Sequence, residues 1–344
     1  MAVSTRLIET IDGQEIHQIT LSNRRGTRAD FLTLGATWQS FYFPQPDGRL
    51  TNLVLGHELP SDYLKNGICA GQTVGRVAGR IKAGQAIVNG ELCHLPANNN
   101  GNTLHGGPCG LHRQVWDYEV IEEEGKSGVR FSYRALAALD GFPGDMTITA
   151  TYVLDDHDRL TVTYEGSEAT SDTLFNPTNH VYFNLGEQDN LARHTLFIAA
   201  NARLETDEHL IPTGRRLDVT GTPYDFRKST SVIEAISLTG GLDDAFEVLV
   251  PETNPIAILT DQMSGNQVTV YSERNGLVVY SFNFPEEGVV FSRSNGRENL
   301  KHEGIALEAQ TLPDAVNHAD FGDIILKAGQ TARYTITYDF DRID

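Results

Sequence analysis

The chain has 344 residues, 40% hydrophobic and 21% charged, ample to bury a core in one large domain or two ordinary ones. A net charge of −19 argues against a nucleic-acid partner, which calls for a basic face, and mildly against a phosphorylated substrate. Cys69, Cys93 and Cys109 give an odd count and no disulfide framework, no apolar run is long enough to span a membrane, and the first residues carry no secretory signal, so the expected location is the cytoplasm.

Strand-like runs dominate from end to end. The first is residues 30–34, followed by an Asp47-Gly48 turn and a short helical pattern near 60–66. Next comes Gly71-Gln-Thr-Val-Gly-Arg-Val-Ala-Gly-Arg-Ile-Lys82. Its glycines recur every four residues, which is neither a dinucleotide fingerprint nor a P-loop. They allow close backbone approach and leave Arg76 or Arg80 projecting, as a clamp for hydroxyls or as a plain surface arginine. After the Asn89-Gly90 turn, Asn102-Thr-Leu-His-Gly-Gly107 puts two glycines behind His105, so the chain can turn sharply and leave the ring accessible.

Residues 130–133, 146–154 and 160–164 read as strands, rich in β-branched and aromatic residues. Asp140-Gly141 and Pro143-Gly144 punctuate them, and residues 155–158 form a loop. Asn176-Pro-Thr-Asn-His-Val-Tyr-Phe-Asn-Leu185 then opens on a turn, with Val181, Phe183 and Leu185 alternating with Tyr182 and Asn184. That is the period of a half-buried strand with His180 at its mouth. A histidine there is a natural proton donor or acceptor near neutral pH, or simply a structural histidine.

Downstream, 196–199, 267–271, 277–282 and 333–340 read as strands and 231–236 as helical, with an Asn275-Gly276 turn. Asp243 lies in the glycine-initiated segment Gly240-Gly-Leu-Asp-Asp-Ala-Phe246, where local hydrogen bonding alone also explains an aspartate. Glu308 sits among Ile305, Leu307 and Leu312 with no basic neighbour in sequence. A carboxylate on an apolar strand is expensive unless paired or functional, and burial would raise its pKa towards that of a base at neutral pH. The alternative is a strand glutamate facing solvent.

The pattern predicts an all-β, mostly antiparallel fold in one large domain over residues 1–344, with no fixed repeat, linker or low-complexity tract. Cys93, His94, His105, Cys109 and His112 lie close together, yet their spacing matches no zinc motif. No Gly-x-Ser-x-Gly elbow supports a nucleophilic serine.

Together the segments resemble the aldose 1-epimerase (galactose mutarotase) family. The matching pieces run in the family's order: Gly75-Arg-Val-Ala-Gly-Arg-Ile81, Thr103-Leu-His-Gly-Gly107, Asn176 to Leu185, Gly241-Leu-Asp243 and Leu307-Glu-Ala-Gln310. The resemblance implies a large antiparallel β-supersandwich that interconverts the α and β anomers of a free hexose, galactose or glucose, with no cofactor and no metal. It implies Glu308 as general base and His180 as general acid. Arg80, His105 and Asp243 match positions that bind sugar hydroxyls or the ring oxygen, and Tyr280 an aromatic lining the site. Two positions depart: Asp244 stands where the family usually has histidine, and Arg76 where several relatives are uncharged.

Three other readings stay open. A hexose-6-phosphate 1-epimerase would use Arg76, Arg80 and Lys82 for the phosphate. A glycosidase would pair Glu308 with Asp243. A non-catalytic carbohydrate-binding protein would hold the monosaccharide without turnover. A monomer or homodimer is expected, with no nucleic-acid or membrane partner.

Overall fold

A computed structural model of the chain describes residues 2–249 and 254–343. Antiparallel strands make up about half of it, most of them in three large sheets. The first is a five-stranded meander running in chain order from Ala2–Ile11 to Leu50–Asn52. The second has nine strands, ordered Asp117–Glu123, Lys126–Ala135, Met146–Asp155, Arg159–Ser167, Ala332–Arg342, Asn266–Ser272, Ala257–Asp261, His194–Ile198 and Thr230–Ser231. The third has six, ordered Tyr182–Phe183, Ile305–Gln310, Gly276–Tyr280, Asp243–Val248, Ala200–Thr206 and Pro212–Asp218.

Side-chain alternation explains the nine-stranded sheet. In Met146–Asp155, Met146, Ile148, Ala150, Tyr152 and Leu154 are buried while the threonines between them are partly exposed, the period of two that puts one face on a core. Leu160, Val162 and Tyr164 on one neighbour and Ile336, Tyr338 and Phe340 on the next repeat it. The three sheets meet around Trp38, whose ring lies 5.2 Å from Tyr338, 5.7 Å from Phe41 and 6.0 Å from Phe183. Phe41 stacks on Phe340 at 3.9 Å. Truncating an aromatic in such a cluster to alanine costs about 3–5 kcal/mol.

The predicted strands appear with shifted ends, and the helical pattern at 231–236 becomes Val232–Thr239, with the Ser231 hydroxyl accepting from the Glu234 N–H. The Asp140-Gly141 signal falls between strands, where it closes the short helix Ala137–Asp140 with Gly141 as its left-handed cap. Asn275-Gly276 falls where the strand Asn266–Ser272 gives way to Gly276–Tyr280. One reading needs correction. The His180 segment is not a half-buried strand. Only Thr178–Asn179 and Tyr182–Phe183 pair as strands, and every residue from Thr173 to Gly186 is buried. The alternation fails there because Val181, Phe183 and Leu185 pack into the main core while Tyr182 packs against Tyr280 and Phe282.

Candidate active site

One cleft of about 290 Å³ runs across the six-stranded sheet, on the scale of a small-molecule site. Every strand contributes to its wall: Tyr182, then Glu308 and Gln310, Val278 and Tyr280, Asp243 and Ala245, Thr206, and Pro212. Pairing sets their order, since Tyr182 faces Ala306, Ala306 faces Tyr280 and Tyr280 faces Asp243, while Val278 faces Glu308. Arg80 and His105 reach the cleft from outside this sheet. Arg80 lies on a small strand pair, Arg80–Ile81 with Thr103–Leu104, and His105 directly follows it. All six residues singled out in the sequence, Arg80, His105, His180, Asp243, Tyr280 and Glu308, line this cleft.

At its centre His180 Nε2 lies 3.4 Å from Glu308 Oε1, both side chains almost wholly buried. The Gly71–Thr73 stretch clamps the histidine, because His180 N–H donates to the Gln72 carbonyl and its own carbonyl accepts from Gly71 N–H. The Asn-Pro opening ties the segment to the Glu308 strand. Asn176 bonds the Thr311 backbone at both ends of its amide, and the Thr178 hydroxyl donates to the Ala309 carbonyl at 2.8 Å. The spacing of the pair is thus fixed by backbone on both sides.

Burial holds His180 down to about 4. Burial first, then the Asp243 charge, pushes Glu308 up to about 8, and Arg80 opposes the rise. Between those values the pair keeps a single proton, which rests on Glu308.

His105 accepts the Gly79 N–H on Nδ1 at 3.3 Å, so its proton sits on Nε2 and the ring is a donor. Burial, and then His180, hold it well below the ordinary histidine range. Its ring stands edge-on to His180 with centroids 5.2 Å apart. The sharp turn behind it needs glycine: at Gly106, φ is +84° and a Cβ would fall 1.8 Å from the Gly75 carbonyl oxygen. Arg80 gives its Nε–H to Asn99 at 3.1 Å, which leaves its terminal N–H groups for a ligand. Burial raises Asp243 to about 6, against the pull of Arg80.

Both departures from the family pattern acquire physical accounts. Asp244, adjacent to Asp243 on its strand, lies outside the cleft lining and accepts from Arg203 at 2.9 Å, with Arg203 stacked over Tyr224. Its second oxygen accepts the Asp243 N–H at 3.2 Å, so it braces Asp243 from behind. Arg76 is buried in a bidentate pair with Asp140, at 2.7 and 3.0 Å, and donates further to the Gly144 carbonyl. It does not line the cleft, and neither does Lys82. The basic trio that motivated a phosphate reading is therefore dispersed. Among the described lining residues Arg80 is the only arginine or lysine, against Asp243, Glu286 and Glu308.

Two residues to which the sequence assigns no role also line the cleft: Tyr182, which donates to the Ile68 carbonyl, and Gln310. The period of two along a strand already puts it on the face of Glu308.

The chain matches the family model described as aldose 1-epimerase over residues 17–339. It is 42% identical to an aldose 1-epimerase of Streptococcus thermophilus, covering 99% of each chain. It is 35% identical to a maltose epimerase of Levilactobacillus brevis, over 99% of this chain and 100% of that one. Among solved structures, a galactose 1-epimerase from Lactobacillus acidophilus superposes with a TM-score of 0.87 at 30% identity, over 100% of this chain and 99% of that one.

Proposed function

The chain belongs to the aldose 1-epimerase family, isomerases that interconvert sugar anomers, and we propose that it acts on a free hexose through the Glu308–His180 pair. The observation that carries this reading is the 3.4 Å contact between two buried, oppositely shifted groups at the centre of the cleft. Groups whose surroundings push their pKa values apart are the expected acid–base partners. One apolar core shared by strands of all three sheets favours a single working domain.

The reaction needs one proton taken and one given. The sugar's O1–H donates to Glu308, and hydrogen bonds to the charged form favour the carboxylate. The ring oxygen O5 accepts from His180, which favours the imidazolium. The one proton of the pair thus moves to His180 as the sugar binds. Glu308 then takes the O1 proton, His180 protonates O5, and the C1–O5 bond breaks to give the open-chain aldehyde. Rotation about C1–C2 presents the other carbonyl face. Closure reverses both transfers and returns the pair to its starting state.

Each positioned proton transfer contributes on the order of 10²–10⁴-fold, and holding the reacting groups together adds to it. Arg80 and His105 donate to hydroxyls, Asp243 accepts from them, and Tyr280 offers an aromatic wall. Three carboxylates against one arginine disfavour a phosphorylated sugar.

The test is polarimetry on freshly dissolved α-D-galactose and α-D-glucose at neutral pH. The protein should speed the approach to an unchanged final rotation. Relaxation at the spontaneous rate with both sugars would overturn the reading.

A further inference from the structure

Buried amides in this protein are generally spoken for. Asn184 donates to the Gln188 and Glu303 carbonyls and accepts from Gly186 N–H, and Asn176 bonds Thr311 at both ends of its amide. Gln310 is the exception inside the cleft. Its side chain is fully buried and lines the cavity, yet neither Nε2 nor Oε1 has a partner among the described residues. Leaving a buried donor or acceptor without a partner is costly, so a protein keeps such a group only with a reason.

The surroundings of Gln310 offer it no protein partner. A Cβ on Gly79 would come within 3.5 Å of Nε2, so the Gly79 backbone lies alongside. Its N–H and carbonyl are both engaged with His105. The register neighbour across the strand pair is Gly276, which has no side chain to fill the space or share a hydrogen bond. Two residues earlier on the same strand face stands Glu308. The spacing is about 6–7 Å along the strand, comparable to the width of a sugar ring.

We propose that Gln310 is a substrate-binding and specificity-determining residue, hydrogen-bonding a ring hydroxyl other than O1. An amide offers two donors and an acceptor, and a hydroxyl can meet either. The inference rests on the reading of the cleft as an aldose 1-epimerase site and adds to it. Glu308 and His180 work at C1 and O5, while Gln310 reads the far side of the ring. A site that hydrogen-bonds a hydroxyl discriminates strongly against an analogue lacking it, because the buried protein group is then left bare.

The experiment compares wild type with Gln310→Met on the preferred parent hexose and on its 2-, 3-, 4- and 6-deoxy forms. For the parent sugar KM should rise about tenfold or more, the loss of one such bond, with kcat within about threefold. For one deoxy sugar the two proteins should have the same KM. The variant's melting temperature should hold or rise, since an unpaired buried amide has been removed. An unchanged KM for the parent, or a KM ratio identical across all four deoxy sugars, overturns the assignment. If Gln310→Met does not fold, Gln310→Asn withdraws the amide by one methylene and should show the same pattern. Wild-type acceleration with a flat variant KM sinks Gln310 alone; no wild-type acceleration on any of the sugars sinks the whole site reading.

Discussion

Two of the buried ionisable pairs among the described residues are built in opposite ways. Arg76 and Asp140 make two short hydrogen bonds to each other, and Arg76 fills its remaining donors on the Gly144 carbonyl and the Thr173 hydroxyl. Glu308 and His180 share one contact of 3.4 Å, and His180 Nδ1 has no partner among the described residues. The first bears the desolvation of two buried charges and repays it within the protein, as a scaffold must. The second avoids that cost by keeping both groups neutral, with one proton between them. Paired charge marks structure; oppositely shifted groups with unmet hydrogen-bonding atoms beside a cavity mark chemistry.

The sharpest way to break this comparison is to remove each pair in turn. Glu308→Gln and His180→Asn should each lower kcat by at least about a hundredfold while the folded state persists. Near-wild-type turnover in either would remove that residue from the reaction. Arg76→Met should do the reverse. It leaves Asp140 buried and unpaired, so stability should fall by about 3–5 kcal/mol, with kcat of the folded fraction nearly unchanged. Melting curves together with rates on one preparation decide it, and Arg76→Met combined with Asp140→Leu should recover much of the loss. A smaller effect belongs to Asp243, which is braced by Asp244 and on the proposed reading binds the sugar rather than the reacting bond. Asp243→Asn should raise KM by roughly tenfold, the scale of one charge-assisted hydrogen bond. A flat KM for both galactose and glucose would remove it from the binding site.

A stability effect also follows from Glu308. Its pKa is raised in the folded state, so the native protein holds a proton that the unfolded chain gives up at lower pH. Stability is therefore lost as pH climbs from the ordinary carboxylate range to about 8. Glu308→Gln should be the more stable protein at pH 8, and its advantage should vanish near pH 4. Denaturant melts at the two pH values check the sign.

Much of this was legible from the chain. The alternation of Met146 to Leu154 reports a sheet face because its partners are adjacent strands that repeat the same period. Glu308 stands out because a carboxylate among Ile305, Leu307 and Leu312 violates local pattern. What local pattern could not resolve depends on distant partners. Arg76 and Arg80 are four residues apart in like surroundings, and only Asp140, 64 residues away, draws one into the interior. Tyr182 shows no role in the sequence because alternation presumes one open face, and every residue from Thr173 to Gly186 is buried. Gln310 carries no titratable chemistry; strand period places it on the face of Glu308, but only its missing partners point to a role.

The most direct test of the central claim is the pH profile of kcat/KM for the wild-type protein, with the spontaneous rate subtracted at each point. A pair holding one proton gives a bell. Activity should fall below about pH 4, as His180 gains a second proton for the pair, and above about pH 8, as Glu308 loses the last. A single rise near the ordinary histidine value of about 6.5, or a profile flat from pH 4 to 9, would contradict it.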